Sequence, residues 1–120
     1  MKHKKILICD DDEGIVDVLE LFLEDTGHTI IPEFNSLNLK TLIQNEKPDL
    51  IILDLWMPVM SGDQILRMIR NTSETKNLPV IVMSASRDGA DIAAAAGANG
   101  YIAKPFDFDN VLAMVDKYLQ

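Results

Sequence analysis

The sequence is poor in cysteine and in basic residues. Its one cysteine, Cys9, lies inside the apolar run ILIC, so we expect a reduced, buried thiol, with no internal disulfide and no multi-thiolate metal site. Lysine and arginine number 11 against 19 aspartates and glutamates, which gives a formal net charge of −8. Because such a surface repels phosphate backbones and anionic lipids at long range, the composition argues against direct nucleic-acid or membrane binding. It favours a protein partner or a cation.

Long apolar runs are also missing. The apolar stretch that follows the basic start MKHKK meets Asp10 too soon to form a signal peptide or to cross a bilayer. We therefore expect a cytoplasmic protein. The 120 residues contain 48% hydrophobic side chains, which is enough for one packed core, and no linker or repeat interrupts them. The sequence predicts a single domain over residues 1–120.

Five short apolar runs are the strongest structural signal in the sequence. They show little alternation of apolar and polar residues, which is typical of strands buried on both faces. Helical periodicity fills the segments between them; in the first, Ile15, Val18, Leu19 and Phe22 share one face, and Gly27 stands at the expected end. The runs cover residues 6–9, 29–31, 50–53, 80–83 and 101–103.

Strict alternation of strand and helix predicts an α/β fold with a parallel sheet covered on both faces by right-handed crossovers. Pro32 follows the second run, and a proline is easiest to place there if that strand lies at a sheet edge. The flavodoxin-like strand order 2-1-3-4-5 meets this requirement. Ser36 is a candidate N-cap for the second helix, and a short alanine-rich fourth helix is expected over about residues 88–96, before Gly97.

Polar residues follow four of the five runs directly. Asp10, Asp54, Ser84 and Lys104 each come at the carboxyl end of a predicted strand. In an open parallel sheet ligands bind at that edge, most often where the strand order reverses, which here lies between strands 1 and 3. We therefore expect Asp10, Asp11 and Asp54 to converge, with Ser84 and Lys104 beside them.

Three neighbouring carboxylates repel one another unless a cation lies between them. Mg²⁺ suits such a site because it accepts one or two carboxylates, keeps several waters and coordinates phosphate oxygens. A carboxylate can attack phosphorus, and a metal ion and a lysine ammonium can absorb charge on the transferring group. These residue types together favour phosphoryl transfer.

At this point the chain resembles the receiver domains of bacterial response regulators, the switch modules of two-component signalling. The resemblance covers essentially the whole chain. It depends on four segments in order, each after a predicted strand: ILICDDDEG, ILDLWMPVMSG with Asp54, Met57, Pro58 and Gly62, VMSA with Ser84, and GYIAKPF with Tyr101, Lys104 and Pro105. Each segment alone is weak evidence, whereas all four together are highly specific.

The resemblance implies a role for each matching residue around the phosphorylation site. Asp54 would accept a phosphoryl group from a phosphohistidine on a sensor histidine kinase or a histidine phosphotransfer protein. Asp11 and Asp54, with the backbone carbonyl of Trp56, would bind Mg²⁺, and Asp10 would help directly or through water. Lys104, before a cis peptide bond to Pro105, would bind a phosphoryl oxygen.

The resemblance also implies a switch. Ser84 would bind another phosphoryl oxygen and move inward, Tyr101 would rotate into the vacated space, and the surface of helix 4, strand 5 and helix 5 would change shape for a downstream target or effector domain. The protein would then be a signalling phosphoacceptor and not an enzyme with a turnover substrate.

Two departures from the family pattern are visible. The segment from Ser84 to Tyr101 is a couple of residues shorter than usual, so helix 4 and the output surface are expected to differ. Trp56 stands where some relatives carry an amide that helps to align hydrolytic water, and tryptophan cannot do this.

Simpler and rival interpretations remain beside this one. Asp12 and Glu13 are expected only to favour the positive end of the first helix. A phosphatase of the haloacid-dehalogenase type also places a nucleophilic aspartate after a strand, but it needs a general acid at the position of Trp56. The main alternative is a degenerate receiver, an interaction module that keeps the fold and never takes phosphate.

Overall fold

A computed structural model describes residues 3–119 as five strands and five α-helices in alternation. All strand pairs are parallel, and the order is β2-β1-β3-β4-β5, which confirms the predicted topology. The strands are β1 (Lys5–Cys9), β2 (Thr29–Glu33), β3 (Leu50–Asp54), β4 (Val80–Ser84) and β5 (Gly100–Ala103). The helices are α1 (Glu13–Leu23), α2 (Leu39–Glu46), α3 (Gly62–Arg70), α4 (Gly89–Ala96) and α5 (Phe108–Leu119).

Side chains alternate between two hydrophobic layers, one on each face of the sheet. Leu7, Leu53 and Val82 pack with α2, α3 and α4, whereas Ile8 and Ile52 pack with α1 and α5 on the other face. All residues of β3 and β4 are buried, so the central strands have no exposed face and show no polar alternation. Pro32 lies on β2 at the sheet edge, as its missing N–H requires.

The strand register brings the carboxyl ends of the strands to one edge. Cys9 of β1 lies opposite Leu53 of β3, so Asp10 leaves its strand beside Asp54. Asp54 in turn lies opposite Met83, and the next residue, Ser84, ends β4. The functional candidates of the sequence therefore share this edge because the strands are parallel and in register.

Local sequence signals at the helix ends are confirmed in part. The Asp12 side chain caps α1 by accepting hydrogen bonds from the backbone N–H groups of Gly14 (2.9 Å) and Ile15 (3.3 Å). Gly27, with φ of +78°, follows a 3₁₀ turn that extends α1.

The predicted N-cap at Ser36 is wrong. Asn35 caps the short 3₁₀ turn that precedes α2, by accepting from the backbone N–H of Leu37 at 3.0 Å. Ser36 is buried, and its hydroxyl donates to the carbonyl of Pro58 at 3.3 Å. This bond joins the β2–α2 and β3–α3 connections beside the candidate site.

In the range 3–119, no helix has both the length and the apolar composition needed to span a membrane.

Candidate functional site

Three carboxylates meet at the carboxyl edge of the sheet. Asp10, Asp11 and Asp54 each place a carboxylate oxygen within 4.8 Å of the others, as the strand-end argument predicts. Asp10 is 1% and Asp54 5% exposed, whereas Asp11 is open to solvent. An oxygen-only donor set with one open side fits a hard divalent cation that keeps part of its water shell.

Asp10 is held by contacts on both of its carboxylate oxygens. Its Oδ1 accepts from the backbone N–H of Asp12 at 2.9 Å, and its Oδ2 accepts from Lys104 Nζ at 2.9 Å. Its own backbone N–H donates to the carbonyl of Glu33 at the end of β2. The buried charge of Asp10 is therefore fixed in place and compensated by partners.

Lys104 links the two buried acids. Its Nζ lies 2.8 Å from Asp54 Oδ1 as well as 2.9 Å from Asp10 Oδ2. Burial acts to lower the pKa of Lys104, but the hydrogen bonds and charges of Asp54 and Asp10 outweigh it and leave that pKa raised. The ammonium stays charged at the end of β5, and the peptide bond between Lys104 and Pro105 is cis.

Asp54 is the electrostatically strained member of the cluster. Burial, reinforced by the negative charges of Asp10 and Asp11, raises the pKa of Asp54 from 3.8 to about 6, although Lys104 opposes the shift. A divalent cation at the same place would lower this pKa again and keep the carboxylate ionised. The site therefore combines a buried carboxylate of raised pKa with an acidic cluster that could hold a metal ion.

Ser84 and Tyr101 are in contact through the backbone of β4. The Tyr101 hydroxyl donates to the carbonyl of Ser84 at 3.0 Å, and Ser84 itself is 1% exposed. Gly89, the first residue of α4, makes room for this arrangement. A Cβ atom there would lie 2.5 Å from the Tyr101 hydroxyl and 2.9 Å from Ser84 Oγ.

The short β4–α4 connection therefore brings the start of α4 directly against both predicted switch residues. Helix α4 has eight residues, Gly89–Ala96, close to the range expected from the sequence. Glycine suits its first position, because a Cβ atom at Gly89 would crowd both of these side chains.

Trp56 lies at the mouth of the site with 51% of its surface exposed. Its indole Nε1–H donates to Ser86 Oγ at 3.1 Å. This bond links the β3–α3 connection to the β4–α4 connection. Ser86 was missed by the sequence reasoning, because a serine in a polar loop carries no motif or spacing that distinguishes it. Only its position two residues after Ser84 would have pointed to it.

Gly62 allows the start of α3 to pack closely against the end of β3. Its backbone N–H donates to the carbonyl of Leu55 at 2.7 Å, and a Cβ atom on it would lie 2.3 Å from the carbonyl oxygen of Asp54. Helix α3 can begin against the end of β3 only because this residue is glycine. Close packing of α3 thus fixes the backbone that carries Asp54.

Comparisons with known proteins agree with this geometry. The family model described as "Response regulator receiver domain" matches residues 6–116. The chain is 36% identical to sporulation initiation phosphotransferase F of Bacillus subtilis, over 99% of this chain and 96% of that protein. It is 32% identical to the alkaline phosphatase synthesis transcriptional regulatory protein PhoP of the same species, over 98% of this chain and 49% of that one.

A solved structure shares the fold over nearly its full length. The chemotaxis protein CheY4 of Vibrio cholerae superposes with a TM-score of 0.89 at 27% identity, covering 98% of this chain and 100% of that one. The chain thus spans almost all of some relatives and about half the length of others.

Proposed function

The chain belongs to the response regulator receiver domain family of two-component signalling, and on that premise we propose that it accepts a phosphoryl group on Asp54 with Mg²⁺ bound beside it. Receiver domains bind Mg²⁺ at an acidic pocket, and the Asp10, Asp11 and Asp54 cluster is the corresponding feature of this chain.

A single observation carries the proposal. The buried Asp54 carboxylate lies within 4.8 Å of two other carboxylates and 2.8 Å from the Lys104 ammonium, at the solvent-open edge of the sheet. This arrangement is costly for stability, because buried acids crowd together, and it is what phosphoryl transfer needs. A carboxylate with a purely structural role has no reason to be placed there.

The proposed metal ligands are those that the family resemblance implies, and the hydrogen bonds of the acidic cluster support this choice. Both oxygens of Asp10 already accept hydrogen bonds, whereas Asp11 is exposed and Asp54 keeps Oδ2 without a partner among the contacts of residues 3–119. We assign Asp11, Asp54 and the backbone carbonyl of Trp56 as direct ligands, with Asp10 acting mainly through water. The bound ion would neutralise the acids and the charge on the transferring group.

In the reaction, an Asp54 carboxylate oxygen attacks the phosphorus of a phosphohistidine, and the bond from phosphorus to the imidazole nitrogen breaks as the new bond from phosphorus to oxygen forms. The donor is a sensor histidine kinase or a histidine phosphotransfer protein. Lys104 then exchanges its hydrogen bond from the carboxylate to a phosphoryl oxygen, and Ser84 donates to another.

The proposed output is a change on the surface formed by α4, β5 and α5. Ser84 moving toward the phosphoryl group would take its carbonyl, and with it the Tyr101 hydroxyl, to a new position. A downstream protein or effector domain would read that surface. We further propose that residues 1–120 act as a single cytoplasmic domain, a phosphoacceptor without a turnover substrate, which contacts neither nucleic acid nor membrane directly.

Intact-mass measurement tests the central step. Incubation with acetyl phosphate and Mg²⁺ is expected to add one phosphoryl group to the wild type and to Asp116→Ala, which removes an exposed acid of α5. Asp54→Ala, or chelation of the metal by EDTA, should abolish the addition. A wild type that gains no mass would instead support the degenerate receiver, an interaction module that works without phosphate.

A further inference from the structure

Two connections at the carboxyl edge of the sheet expose apolar side chains. Phe34 and Leu37 are exposed in the β2–α2 connection, and Val59 is exposed in the β3–α3 connection. The hydrogen bond from the Ser36 hydroxyl to the carbonyl of Pro58 joins the residues that directly precede Leu37 and Val59. The two connections therefore form one surface, and we call Phe34, Leu37 and Val59 the apolar rim.

Val59 adopts a backbone conformation that valine seldom takes. Its φ is +70°, and the backbone N–H of Met60 donates to the carbonyl of Pro58 at 2.8 Å, so Val59 is the tip of a γ-turn. A β-branched residue is strained there, whereas glycine or asparagine adopts this conformation at lower cost. With 83% of its surface exposed, Val59 gains little packing within residues 3–119 to offset the strain. The exposed valine therefore points to a contact with another molecule.

The apolar rim lies beside the phosphorylation site. The β3–α3 connection begins directly after Asp54, and the bond from the backbone N–H of Gly62 to the carbonyl of Leu55 closes its base at 2.7 Å. A protein that presents a phosphohistidine to Asp54 has to bring its own surface over the ends of the strands, where these connections lie. The rim is thus placed to contact the same partner that donates the phosphoryl group.

The charge around the apolar rim favours a basic partner. Residues 33–39 and 54–66 contain no lysine or arginine, but they include Glu33, Asp54 and Asp63. A second copy of this chain, with its net charge of −8, would bring the same negative surface and be repelled. A phosphodonor whose histidine lies among apolar and basic side chains fits both the rim and its surroundings.

We propose that the apolar rim is a docking surface for the phosphodonor protein, and that this partner surrounds its phosphohistidine with apolar side chains bordered by basic residues. The inference rests on the proposed function and adds a surface that the chemical step itself does not require. Contact with Leu37 and Val59 holds the imidazole of the donor over Asp54, which speeds transfer by orientation. A small phosphodonor gains nothing from the rim.

Two phosphodonors compared on the same variants test the docking surface. The probes are acetyl phosphate and a purified, autophosphorylated histidine kinase, chosen from a panel of kinases as the fastest donor to the wild type. Val59→Asn and Leu37→Ser should slow transfer from the kinase about threefold to tenfold, as for loss of an apolar contact in an interface. Both should react with acetyl phosphate at nearly the wild-type rate. Leu21→Ser, which changes an exposed leucine near the end of α1, is the control and should alter neither reaction.

The stability of Val59→Asn makes the test specific. Because asparagine takes a positive φ at lower cost than valine, this variant should unfold at a higher urea concentration although it accepts phosphoryl groups from the kinase more slowly. Loss of transfer then cannot come from a damaged fold. Added salt should slow the reaction of the wild type with the kinase and not its reaction with acetyl phosphate, since only the protein donor is attracted by charge.

Contrary results are equally clear. The inference is overturned if both rim variants accept from the kinase at the wild-type rate, if they slow equally with acetyl phosphate, or if slow transfer accompanies lower stability. Slowing by Val18→Ser alone would assign docking to α1 instead, where Val18 is exposed. A panel in which no kinase phosphorylates the wild type, while acetyl phosphate does, also counts against the rim. Failure of the proposed function differs from all of these, because neither donor would then modify Asp54.

Discussion

The Lys104 ammonium donates a hydrogen bond to Asp54 Oδ1 over 2.8 Å, which joins the end of β5 to the end of β3 across the intervening strand β4. The same ammonium holds Asp10, so one positive charge serves two buried carboxylates. Burial, with the negative charges of Asp10 and Asp11 adding to it, explains why the pKa of Asp54 is raised in spite of its close cation.

Asp54→Asn should stabilise the metal-free protein above about pH 6. Burial raises the pKa of Asp54 from 3.8 to about 6, so between these values the folded state holds a proton that the unfolded chain has lost. Stability therefore falls as the pH rises through this window and stays lower above it. The neutral amide removes the penalty, and we expect a gain of up to about 2–3 kcal/mol in the free energy of unfolding.

Urea denaturation in EDTA between about pH 4 and pH 8 checks this expectation. The gain should shrink toward zero at the acid end, where Asp54 of the wild type is protonated. Asp116→Asn, which neutralises an exposed acid of α5, is the control and should change little. A stability gain for Asp54→Asn that does not vary with pH would contradict the electrostatic explanation.

Asp11→Asn should weaken Mg²⁺ binding about tenfold to hundredfold, because it removes the charge of a proposed ligand on the open side of the site. Calorimetric titration with Mg²⁺ measures the effect. The matched control is Asp12→Ser, which removes the neighbouring charge but keeps an oxygen to cap α1. Equal losses in the two variants would indicate that only local charge matters and that Asp11 is not a ligand.

Gly89→Ala should destabilise the protein by about 1–3 kcal/mol, although alanine normally favours a helix over glycine. The new methyl group would lie 2.5 Å from the Tyr101 hydroxyl and 2.8 Å from Ser84 Cβ. Tyr101→Phe should relieve part of the loss in the double variant. Gly14→Ala in α1 is the control, since its Cβ would meet only the end of the Asp12 side chain, at 3.2 Å. Thermal or urea unfolding of Gly89→Ala, Tyr101→Phe, the double variant and Gly14→Ala measures these changes in stability. A Gly89→Ala protein as stable as the wild type would show that α4 can shift freely.

Trp56→Asn should shorten the lifetime of the phosphorylated state. The indole is half exposed and cannot orient an attacking water, whereas an amide can. Phosphate release after removal of the phosphodonor gives the rate for the wild type and for the variant. Trp56→Phe loses the indole hydrogen bond to Ser86 without gaining an amide. It therefore separates the effect of the new amide from the effect of losing that hydrogen bond. Equal release rates in the wild type and Trp56→Asn would contradict the prediction that Trp56 prolongs the phosphorylated state.

The sequence was sufficient to predict features that depend on strand order. Apolar runs without alternation predict strands buried on both faces, and parallel strands in register must bring their carboxyl ends together. The convergence of Asp10, Asp54 and Lys104 at one edge follows from these two facts. No loop conformation was needed for that prediction.

Features that depend on the paths of loops could not be predicted in the same way. Ser86 meets Trp56 only because two connections from different strands approach each other, and Ser36 turns inward to Pro58 instead of capping a helix. Local propensity favours a serine at an N-cap, but a long-range hydrogen bond decided its position. Arg70 is a third case, since nothing in its helix shows how far its side chain reaches.

Arg70→Ala should destabilise the fold by about 1.5–3 kcal/mol without changing phosphorylation of Asp54. The guanidinium donates to the carbonyls of Gly97 at 2.9 Å and Leu78 at 2.7 Å, and to Asn99 Oδ1 at 2.6 Å. It thereby holds the end of α3 against the residues that follow α4. These contacts lie at the amino ends of the strands, opposite the acidic cluster at their carboxyl ends.

Two variants of the same helix make the test of this anchor specific. Arg67→Ala removes an exposed arginine of α3 and should change the free energy of unfolding by less than about 0.5 kcal/mol. Arg70→Lys keeps the charge but loses the planar group that reaches several acceptors at once, so it should recover little of the loss. Full recovery by lysine would mean that charge, and not the shared hydrogen bonds, holds the end of α4. A slower reaction with acetyl phosphate in Arg70→Ala would mean that this anchor is coupled to the phosphorylation site through α4, whose first residue touches Ser84 and Tyr101.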